Sequence, residues 1–220
     1  ILFNVRDSRL RETVRRRLAV PIVLVDRDGR SRRMDSVVVD HYSGGAEAVE
    51  HLLALGHRRI GVITGPANST PSLLRFRAYV HSLQRAGLAF DERLVLRGDF
   101  QSESGYDAAQ SLMSSPDPPT ALFAFNDLMA FGAITALCGM GLRVPEDVSV
   151  VGYDDIQLSS FFNPPLTTVS QPKKAMGRAA FALLRERIAD ERMPTRSVTM
   201  SARLVVRRST AAAAAFGRGC

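Results

Sequence analysis

The sequence predicts an α/β protein built on parallel β-sheet. Short β-branched apolar runs alternate along the whole chain with segments of helical periodicity. One run, Val148 to Gly152, has little polar interruption, which is typical of a parallel strand covered on both faces. Asp154 and Asp155 follow it closely, and ligands of open α/β sheets bind at the carboxyl ends of strands. These carboxylates therefore stand where a ligand would be recognised, although capping of the next turn is an equal alternative.

The strands and helices are predicted in order from apolar periodicity, capping residues and glycine or proline stops. The predicted strands are 1–5, 21–25, 36–40, 60–64, 94–97, 120–125, 148–152, a short strand soon after, and an exposed pair within 197–208. The predicted helices are 8–18, one opening at a capping Ser43 and stopped by Gly56, 71–86, 102–113 capped by Ser102, one from the Asn126-Asp127 cap to about Cys138, and 175–188. Residues 211–220 carry no pattern and are predicted to form a tail.

Composition indicates a folded, non-membrane protein. The chain has 220 residues, 45% hydrophobic and 23% charged, which suits one large domain or two small ones. Cys138 and Cys220 suggest no disulfide framework, which fits a reducing compartment. No apolar run approaches the roughly 20 residues that span a bilayer. Because the chain begins with Ile1 in what looks like mid-strand, we interpret it as a piece of a longer protein.

The net charge of +7 is concentrated near the start of the chain. Ten arginines and four acidic residues fall within residues 1–33. Such a patch could touch nucleic acid, but no helix-turn-helix pattern accompanies it. A solvated arginine-rich helix face is the favoured interpretation.

Enzyme signatures are missing from the sequence. No Gly-x-Gly-x-x-Gly follows a strand, no phosphate-binding Gly-Lys-Ser/Thr loop is present, and no serine sits on a nucleophile elbow. Adjacent Asp154 and Asp155 would point apart, unlike a catalytic carboxylate pair. The four histidines show no metal-ligand spacing: His41, His51, His57 and His81. We predict no catalytic residue, no metal and no cofactor.

Five segments together resemble the LacI-type family of bacterial transcription regulators, which includes the lactose and purine repressors. They are the opening stretch, GGAEAVEHLLALGHRRIGVITGP (44–66), GDFQSESGYDAAQSLM (98–113), PTALFAFNDLMAFGAITAL (119–137) and RVPEDVSVVGYDDIQLSSFFNPPLTTVSQP (143–172). The likeness covers roughly residues 20 to 208 and concerns the effector-binding core. PTALFAFNDLMAFGA taken singly also resembles periplasmic sugar-binding proteins, but GLRVPEDVSVVGYDDI and PPLTTVSQP resemble the repressors in particular.

The resemblance implies two similar parallel-sheet subdomains with the effector in the cleft between them, as in periplasmic binding proteins. The N-terminal subdomain would comprise residues 1–40 and 172–199, the C-terminal one 41–171 and 200–208, with a tail at 209–220. Compared with the family, the DNA-binding head, the hinge helix and about half of the N-terminal subdomain are absent. The N-terminal subdomain, and with it one wall of the site, is therefore expected to be incomplete.

Five predicted strand ends each supply one candidate effector-binding side chain, and the resemblance implies effector contact for all but the first: Asp26, Arg75, Phe100, Asn126 and Asp154. In isolation Arg75 would be a surface helix residue, Phe100 a core residue and Asn126 an N-cap. Together, an arginine fork and a carboxylate can hydrogen-bond vicinal hydroxyls, and a flat aromatic ring can cover a sugar or a base.

The resemblance favours a sugar or sugar derivative over a purine as the effector. Asn126 matches an asparagine that the lactose repressor has and the purine repressor lacks, and an amide both donates and accepts. Ser69 and Pro71 do not match the purine-reading residues of the purine repressor.

The function expected from the resemblance is effector sensing and dimerisation in a cytoplasmic regulator, most simply a repressor. The whole protein would bind operator DNA through a head absent from this chain. It would form a homodimer, or a tetramer, through the aromatic-rich positions that match the family's interface: Phe131, Leu158, Phe161 and Phe162. A solute-binding protein of an ABC import system for sugars is the alternative.

Overall fold

The computed structural model describes residues 2–3, 20–27 and 34–213. The predicted helix 8–18, most of the arginine-rich stretch, Cys220 and the end of the predicted tail lie outside the described residues. The chain divides into two compact units. Unit 1 contains Ile1–Asp40 and Pro172–Ala202, and unit 2 contains His41–Gln171 and Arg203–Cys220.

Unit 2 is a mostly parallel six-stranded sheet in the order β10-β8-β7-β6-β4-β5, in which only the β10–β8 pair is antiparallel. The strands are β4 (Ile60–Thr64), β5 (Val95–Arg97), β6 (Ala121–Ala124), β7 (Ser149–Asp154), β8 (Thr167–Ser170) and β10 (Arg203–Val205). The helices are α1 (His41–Ala54), α2 (Thr70–Arg85), α3 (Ser102–Met113) and α4 (Asp127–Gly139), with short 3-10 turns at Glu92–Leu94 and Gln157–Ser160. Fully buried β6 and nearly fully buried β7 confirm the predicted covered strands.

The chain reverses its direction across this sheet at β4. From β4 it first passes to β5 on one side and later to β6 on the other. In doubly wound sheets, the carboxyl ends of the two strands that flank such a reversal form the usual ligand-binding crevice. The carboxyl ends of β4 and β6 are therefore the expected position of a ligand site.

Unit 1 contains a parallel sheet in the order β1-β2-β3-β9. Its elements are β1 (Leu2–Phe3), β2 (Val23–Val25), β3 (Asp35–Asp40), α5 (Lys173–Ala189) and β9 (Ser197–Ser201). A buried ion pair ties α5 to this sheet, because Arg187 Nε and Nη2 lie 3.0 and 3.1 Å from the Asp35 carboxylate oxygens. Burial raises the pKa of Asp35, but hydrogen bonds from Arg187 and the Arg196 backbone outweigh burial and leave the pKa below its usual value.

Two predicted helix caps are wrong. Helix α1 begins at His41, directly after β3, so Ser43 lies inside its first turn. Helix α3 has Gln101 at its N-cap position, so Ser102 is the first helical residue instead of the cap. Asn126 is confirmed as the cap of α4, since its side-chain oxygen accepts a hydrogen bond from the Met129 N–H at 3.0 Å.

Residues 197–213 differ most from expectation. The alternating stretch does not form a strand pair, because β9 joins the sheet of unit 1 and β10 joins that of unit 2. Residues 209–213 are bound to unit 2 and do not form a tail. Buried Ser209 accepts from the Val150 N–H at 2.7 Å, and the Ala213 N–H donates to Leu55 at 2.8 Å. Satisfying these buried backbone groups fixes the segment.

His57 is the buried anchor of this segment. Its Nε2 lies 3.1 Å from the Ala211 carbonyl oxygen, and its Nδ1 lies 2.9 Å from the Thr120 hydroxyl. A carbonyl oxygen only accepts, so Nε2 donates and Nδ1 accepts. Burial lowers the pKa of His57, and of half-buried His51 nearby, so the neutral imidazole is favoured in the fold.

We expect the free energy of unfolding to fall as the pH drops from 7.5 to 5. The unfolded chain binds protons at its histidines below about pH 6.5, whereas folded His57 and His51 resist protonation, so acid favours unfolding. Urea unfolding at a series of pH values measures this slope. His57→Gln should be less stable at pH 7.5 and show a shallower slope; an unchanged slope would exclude His57 as a source.

Two glycines allow helices α3 and α4 to pack closely. A Cβ atom at Gly132 would collide with the Ser102 carbonyl group, and one at Gly105 would collide with the backbone of Met129. Gly139, at the exposed end of the same helix α4, would meet only the Tyr106 hydroxyl at 3.9 Å. The close approach fixes α4, whose N-terminus carries Asn126.

We expect Gly132→Ala to reduce the free energy of unfolding by about 2 kcal/mol or more, because the helices must separate. Gly139→Ala in the same helix should raise it by up to about 1 kcal/mol, since alanine is the better helix former and has room. Urea unfolding of the two variants measures both changes. Equal effects at the two positions would show that helix propensity, and not close packing, decides them.

Candidate functional site

The candidate site lies at the carboxyl-end edge of the unit 2 sheet, where β4 and β6 flank the reversal. Arg75 comes from α2, which follows β4, and Asn126 follows β6. Asp154 is the last residue of β7, the next strand along the sheet. The fold thus brings Arg75, Asn126 and Asp154 to one edge, as predicted from strand order along the chain.

Arg75 is the buried centre of this edge, with 3% of its surface exposed. Its Nη1 donates to the Phe125 carbonyl oxygen, and its Nη2 lies 3.1 Å from His41 Nδ1. The guanidinium carbon lies 3.5 Å from the centre of the Tyr153 ring, a cation–π contact. Arg75 is therefore not the surface helix residue considered as an alternative, and its planar group is held on several sides.

Asp154 faces this arginine without closing a tight ion pair. Its Oδ1 lies 4.0 Å from Arg75 Nη2 and accepts a hydrogen bond from Gln171 Nε2 at 2.5 Å. Its side chain is 30% exposed, against 4% for that of Arg75. The neighbouring Asp155 instead pairs with Arg207 at 2.7 Å, so the two carboxylates have different partners, as predicted.

Phe100 and Asn126 are joined through the backbone. Asn126 Nδ2 donates to the Phe100 carbonyl oxygen at 2.9 Å, in addition to its capping bond to Met129. The half-buried Phe100 ring lies against Gly65, where a Cβ atom would collide with it. Gly65, directly after β4, therefore leaves the space that the ring occupies, a role that the sequence analysis missed.

Four non-glycine residues in the described part of the chain have positive φ: Asp26 (58°), Phe100 (74°), Asp154 (113°) and Asp155 (54°). Three of these are candidate effector-binding residues. Such conformations store strain and are found disproportionately at functional sites. Asp26 follows β2 in unit 1, where its N–H donates to Val37 at 2.8 Å, and it is described with that unit only.

Comparison with known proteins decides the family. A family model described as "Periplasmic binding protein-like domain" matches residues 49–210. The "HTH-type transcriptional repressor PurR" of Klebsiella pneumoniae (strain 342) is 40% identical over 193 residues, which are 87% of this chain and 57% of that protein. The chain thus spans little more than half the length of this curated relative.

Solved structures agree. A "transcriptional regulator CelR-cellobiose complex" matches with a TM-score of 0.87 and 36% identity, over 94% of this chain and 64% of that one. A "LacI family transcriptional regulator" from Enterococcus faecium "with bound ribose" matches with a TM-score of 0.84 and 29% identity, over 91% and 76%. The chain belongs to the LacI family of transcription regulators. These LacI-family relatives are regulators and not enzymes, and they support the import-protein alternative less well.

The candidate site has three further members that sequence reasoning did not select: His41, Tyr153 and Gln171. Tyr153 and Gln171 lie inside the segments GYDD and SQP that carry the resemblance. Each contacts Arg75 or Asp154 directly. Tyr153 is adjacent to the selected Asp154, which was the available signal for it, whereas Gln171 and His41 lie far in the sequence from the residues they contact and gave none.

The residues expected at a dimer interface form what we call the aromatic surface: Phe131, Leu158, Phe161 and Phe162. Phe131 is buried and stacks on Phe162, with ring centres 4.4 Å apart. Leu158 and Phe161 are 48% and 77% exposed. Within unit 2, therefore, Phe131 and Phe162 pack against each other, whereas Leu158 and Phe161, at the 3-10 turn Gln157–Ser160, are exposed.

Buried Asp127, the first residue of α4, holds this turn in place. Its carboxylate accepts hydrogen bonds from the Ser159 hydroxyl at 2.6 Å, the Ile156 N–H at 2.8 Å and the Thr168 hydroxyl at 2.5 Å. Burial raises the pKa of Asp127, and these hydrogen bonds oppose the rise. The turn that carries Leu158 and Phe161 is thus anchored beside Asn126 of the candidate site.

Among the described residues, no group of histidine, cysteine, aspartate or glutamate side chains is arranged to hold a metal ion. In the same part of the chain, no helix is both long and apolar enough to cross a bilayer.

Proposed function

We propose that this chain is the effector-sensing part of a LacI-family regulator and takes a small sugar or sugar derivative at the carboxyl-end edge of unit 2. The observation that carries the proposal is the buried Arg75 guanidinium, held in place opposite the half-exposed carboxylate of Asp154. Units 1 and 2 would correspond to the two subdomains of the family, and Asp26 of unit 1 stays a predicted effector-binding residue.

The chemistry of the edge suits a polyol. Arg75 only donates hydrogen bonds and ionised Asp154 only accepts them, so a ligand that bonds to both needs acceptors and donors side by side. Neighbouring hydroxyl groups of a sugar provide both. Phe100 offers an aromatic face for the apolar side of a sugar ring. The similar regulators with bound cellobiose and ribose support this ligand class.

Arg75 also carries an unsatisfied polar atom. Its Nε is buried and has no hydrogen-bond partner among the described residues. A buried polar group without a partner costs about 1–3 kcal/mol, so its presence in a fold calls for an explanation. Arg75 stays buried against the Tyr153 ring despite the cost of its unpaired Nε, which supports a role beyond packing.

The partners of the whole regulator are proposed from the name of a relative and from exposed apolar side chains. Operator DNA is proposed because the curated relative is named an HTH-type transcriptional repressor. A regulator that binds DNA works in the cytoplasm, and we place this one there. Self-association through the aromatic surface follows from Leu158 and Phe161, two large apolar side chains exposed on one anchored turn.

Asp154→Asn should weaken ligand binding about tenfold to a hundredfold, because a hydrogen bond to a charged group contributes about 1.5–3 kcal/mol. Isothermal titration calorimetry with cellobiose, ribose and guanine measures the affinity. Asp155→Asn is the matched control, since Asp155 also has positive φ but pairs with Arg207.

The control should bind as the wild type does. Undiminished binding by Asp154→Asn would contradict the assignment of this residue. Binding of guanine but of neither sugar would overturn the sugar class while leaving the site in place.

Phe161→Asp should shift the protein toward monomer in sedimentation velocity. The side chain is 77% exposed, so the charge should leave the fold of one copy intact and act on association alone. Phe181→Asp is the control: Phe181 is 62% exposed on α5 of unit 1, is not a member of the aromatic surface, and should leave association unchanged. A wild type that is already monomeric, or a folded Phe161→Asp that still associates, would refute this surface.

A further inference from the structure

His41 is a buried histidine that contacts two members of the candidate site. It is the first residue of α1, immediately after β3, and 2% of its surface is exposed. Its Nδ1 lies 3.1 Å from Arg75 Nη2 and 3.1 Å from the Tyr153 hydroxyl. The His41 and Tyr153 rings are tilted, with centres 5.7 Å apart.

These contacts determine where the proton of His41 resides. A guanidinium group has five N–H donors and no acceptor, so Arg75 Nη2 donates and His41 Nδ1 accepts. Because Nδ1 then carries no hydrogen, the Tyr153 hydroxyl must donate to it as well. His41 is therefore neutral in this arrangement, with its proton on Nε2.

The geometry makes His41 one of three restraints on the Arg75 guanidinium. The Phe125 carbonyl oxygen holds Nη1, His41 holds Nη2, and the Tyr153 ring covers the flat face. Without the His41 acceptor, Nη2 would still lie 4.0 Å from the Asp154 carboxylate. The guanidinium would then turn toward Asp154 and close the pair that a ligand is proposed to enter.

Protonation of His41 should have the same effect as removal of the acceptor. An imidazolium has no lone pair for Arg75 or Tyr153, and it would place a second cation beside the guanidinium. The charged or titratable groups that contact or adjoin it include Arg75 from α2, Tyr153 from β7, and Asp40 at the end of β3, which precedes it.

We propose that His41 is a positioning residue of the effector site: its neutral Nδ1 fixes Arg75 in the orientation that binds ligand. As far as ligand affinity is concerned, this proposal rests on the proposed function. A purely structural histidine that only fills space between α1, α2 and β7 is the competing explanation. The two differ because a space-filling role depends on shape, whereas positioning depends on an acceptor at the Nδ1 position.

The test compares His41→Asn with His41→Phe. Asparagine places its amide oxygen close to where histidine has Nδ1, so it keeps the acceptor but does not titrate; phenylalanine keeps the ring shape but has no acceptor. The control is His81→Asn, since exposed His81 also has its Nδ1 3.1 Å from a tyrosine hydroxyl, that of Tyr42, without an arginine. Calorimetry with cellobiose and ribose between pH 7.5 and 5.5 gives the affinities.

Wild type and His81→Asn should bind alike at pH 7.5, and both should bind more weakly once the pH is low enough to protonate His41. His41→Asn should stay within about threefold of wild type at pH 7.5 and lose the pH dependence. His41→Phe should bind about tenfold more weakly or worse, as expected for loss of a hydrogen bond to a charged group. Equal affinities and equal pH profiles for His41→Phe and wild type would overturn the proposal.

A ligand-free measurement separates failure of this proposal from failure of the proposed function. Nitrogen-15 NMR of histidine side chains at pH 7.5 should show His41 with hydrogen on Nε2 and a bare, hydrogen-bonded Nδ1, and Arg75→Met should change the Nδ1 resonance. A proton on Nδ1 of His41 would overturn the proposal even if sugars bind. If neither sugar binds but the NMR result holds, the sugar class fails and the placement of Arg75 by His41 stands.

Discussion

The buried guanidinium of Arg75 is the group on which the arrangement of the site depends. A cation removed from water must regain its hydration from fixed partners, and in unit 2 these come from three elements: the end of β6, the start of α1 and the face of Tyr153 on β7. Strand β6 flanks the reversal of the sheet, and β7 is the next strand along it. The topology therefore supplies the partners that make burial of an arginine tolerable, and the arginine in turn fixes the polar edge of the sheet.

Much of the fold could be predicted because local signals and burial agreed. Strand β4 and helix α3 have the predicted limits, since an apolar run and a periodic apolar face with clear stops mark them. The errors arose where distant contacts decide. Ser43 resembles a cap, but β3 leads into α1 without a break; β9 and β10 alternate alike, yet join different sheets. Residues 209–213 carry no pattern, and hydrogen bonds to distant residues such as His57, Val150 and Leu55 hold them.

The residues of the candidate site also fall into those that the sequence predicts and those that it does not. Arg75, Asn126 and Asp154 could be selected because each follows a predicted strand, and strand ends of a parallel sheet converge on one edge. The partners that fix them could not. His41 lies 34 residues before Arg75 in the chain, and Gln171 lies 17 after Asp154. A hydrogen bond across such separations depends on sheet order and register, which no local pattern records. Asn126 shows a further limit of prediction from sequence, because a helix cap and a site residue have the same sequence signature. Here one amide group bonds to both Met129 and Phe100.

The separation between Arg75 and Asp154 explains how such an edge can respond to a ligand. At 4.0 Å, with the carboxylate 30% exposed, the pair gains only part of the attraction available to a closed ion pair. Gln171 holds the carboxylate from one side, and the Phe125 carbonyl and His41 hold the guanidinium from the other. A ligand that accepts hydrogen bonds from Arg75 and donates one to Asp154 would bond to both groups at this edge. The positive φ of Asp154 fits this view, because strained backbone is found disproportionately at functional sites.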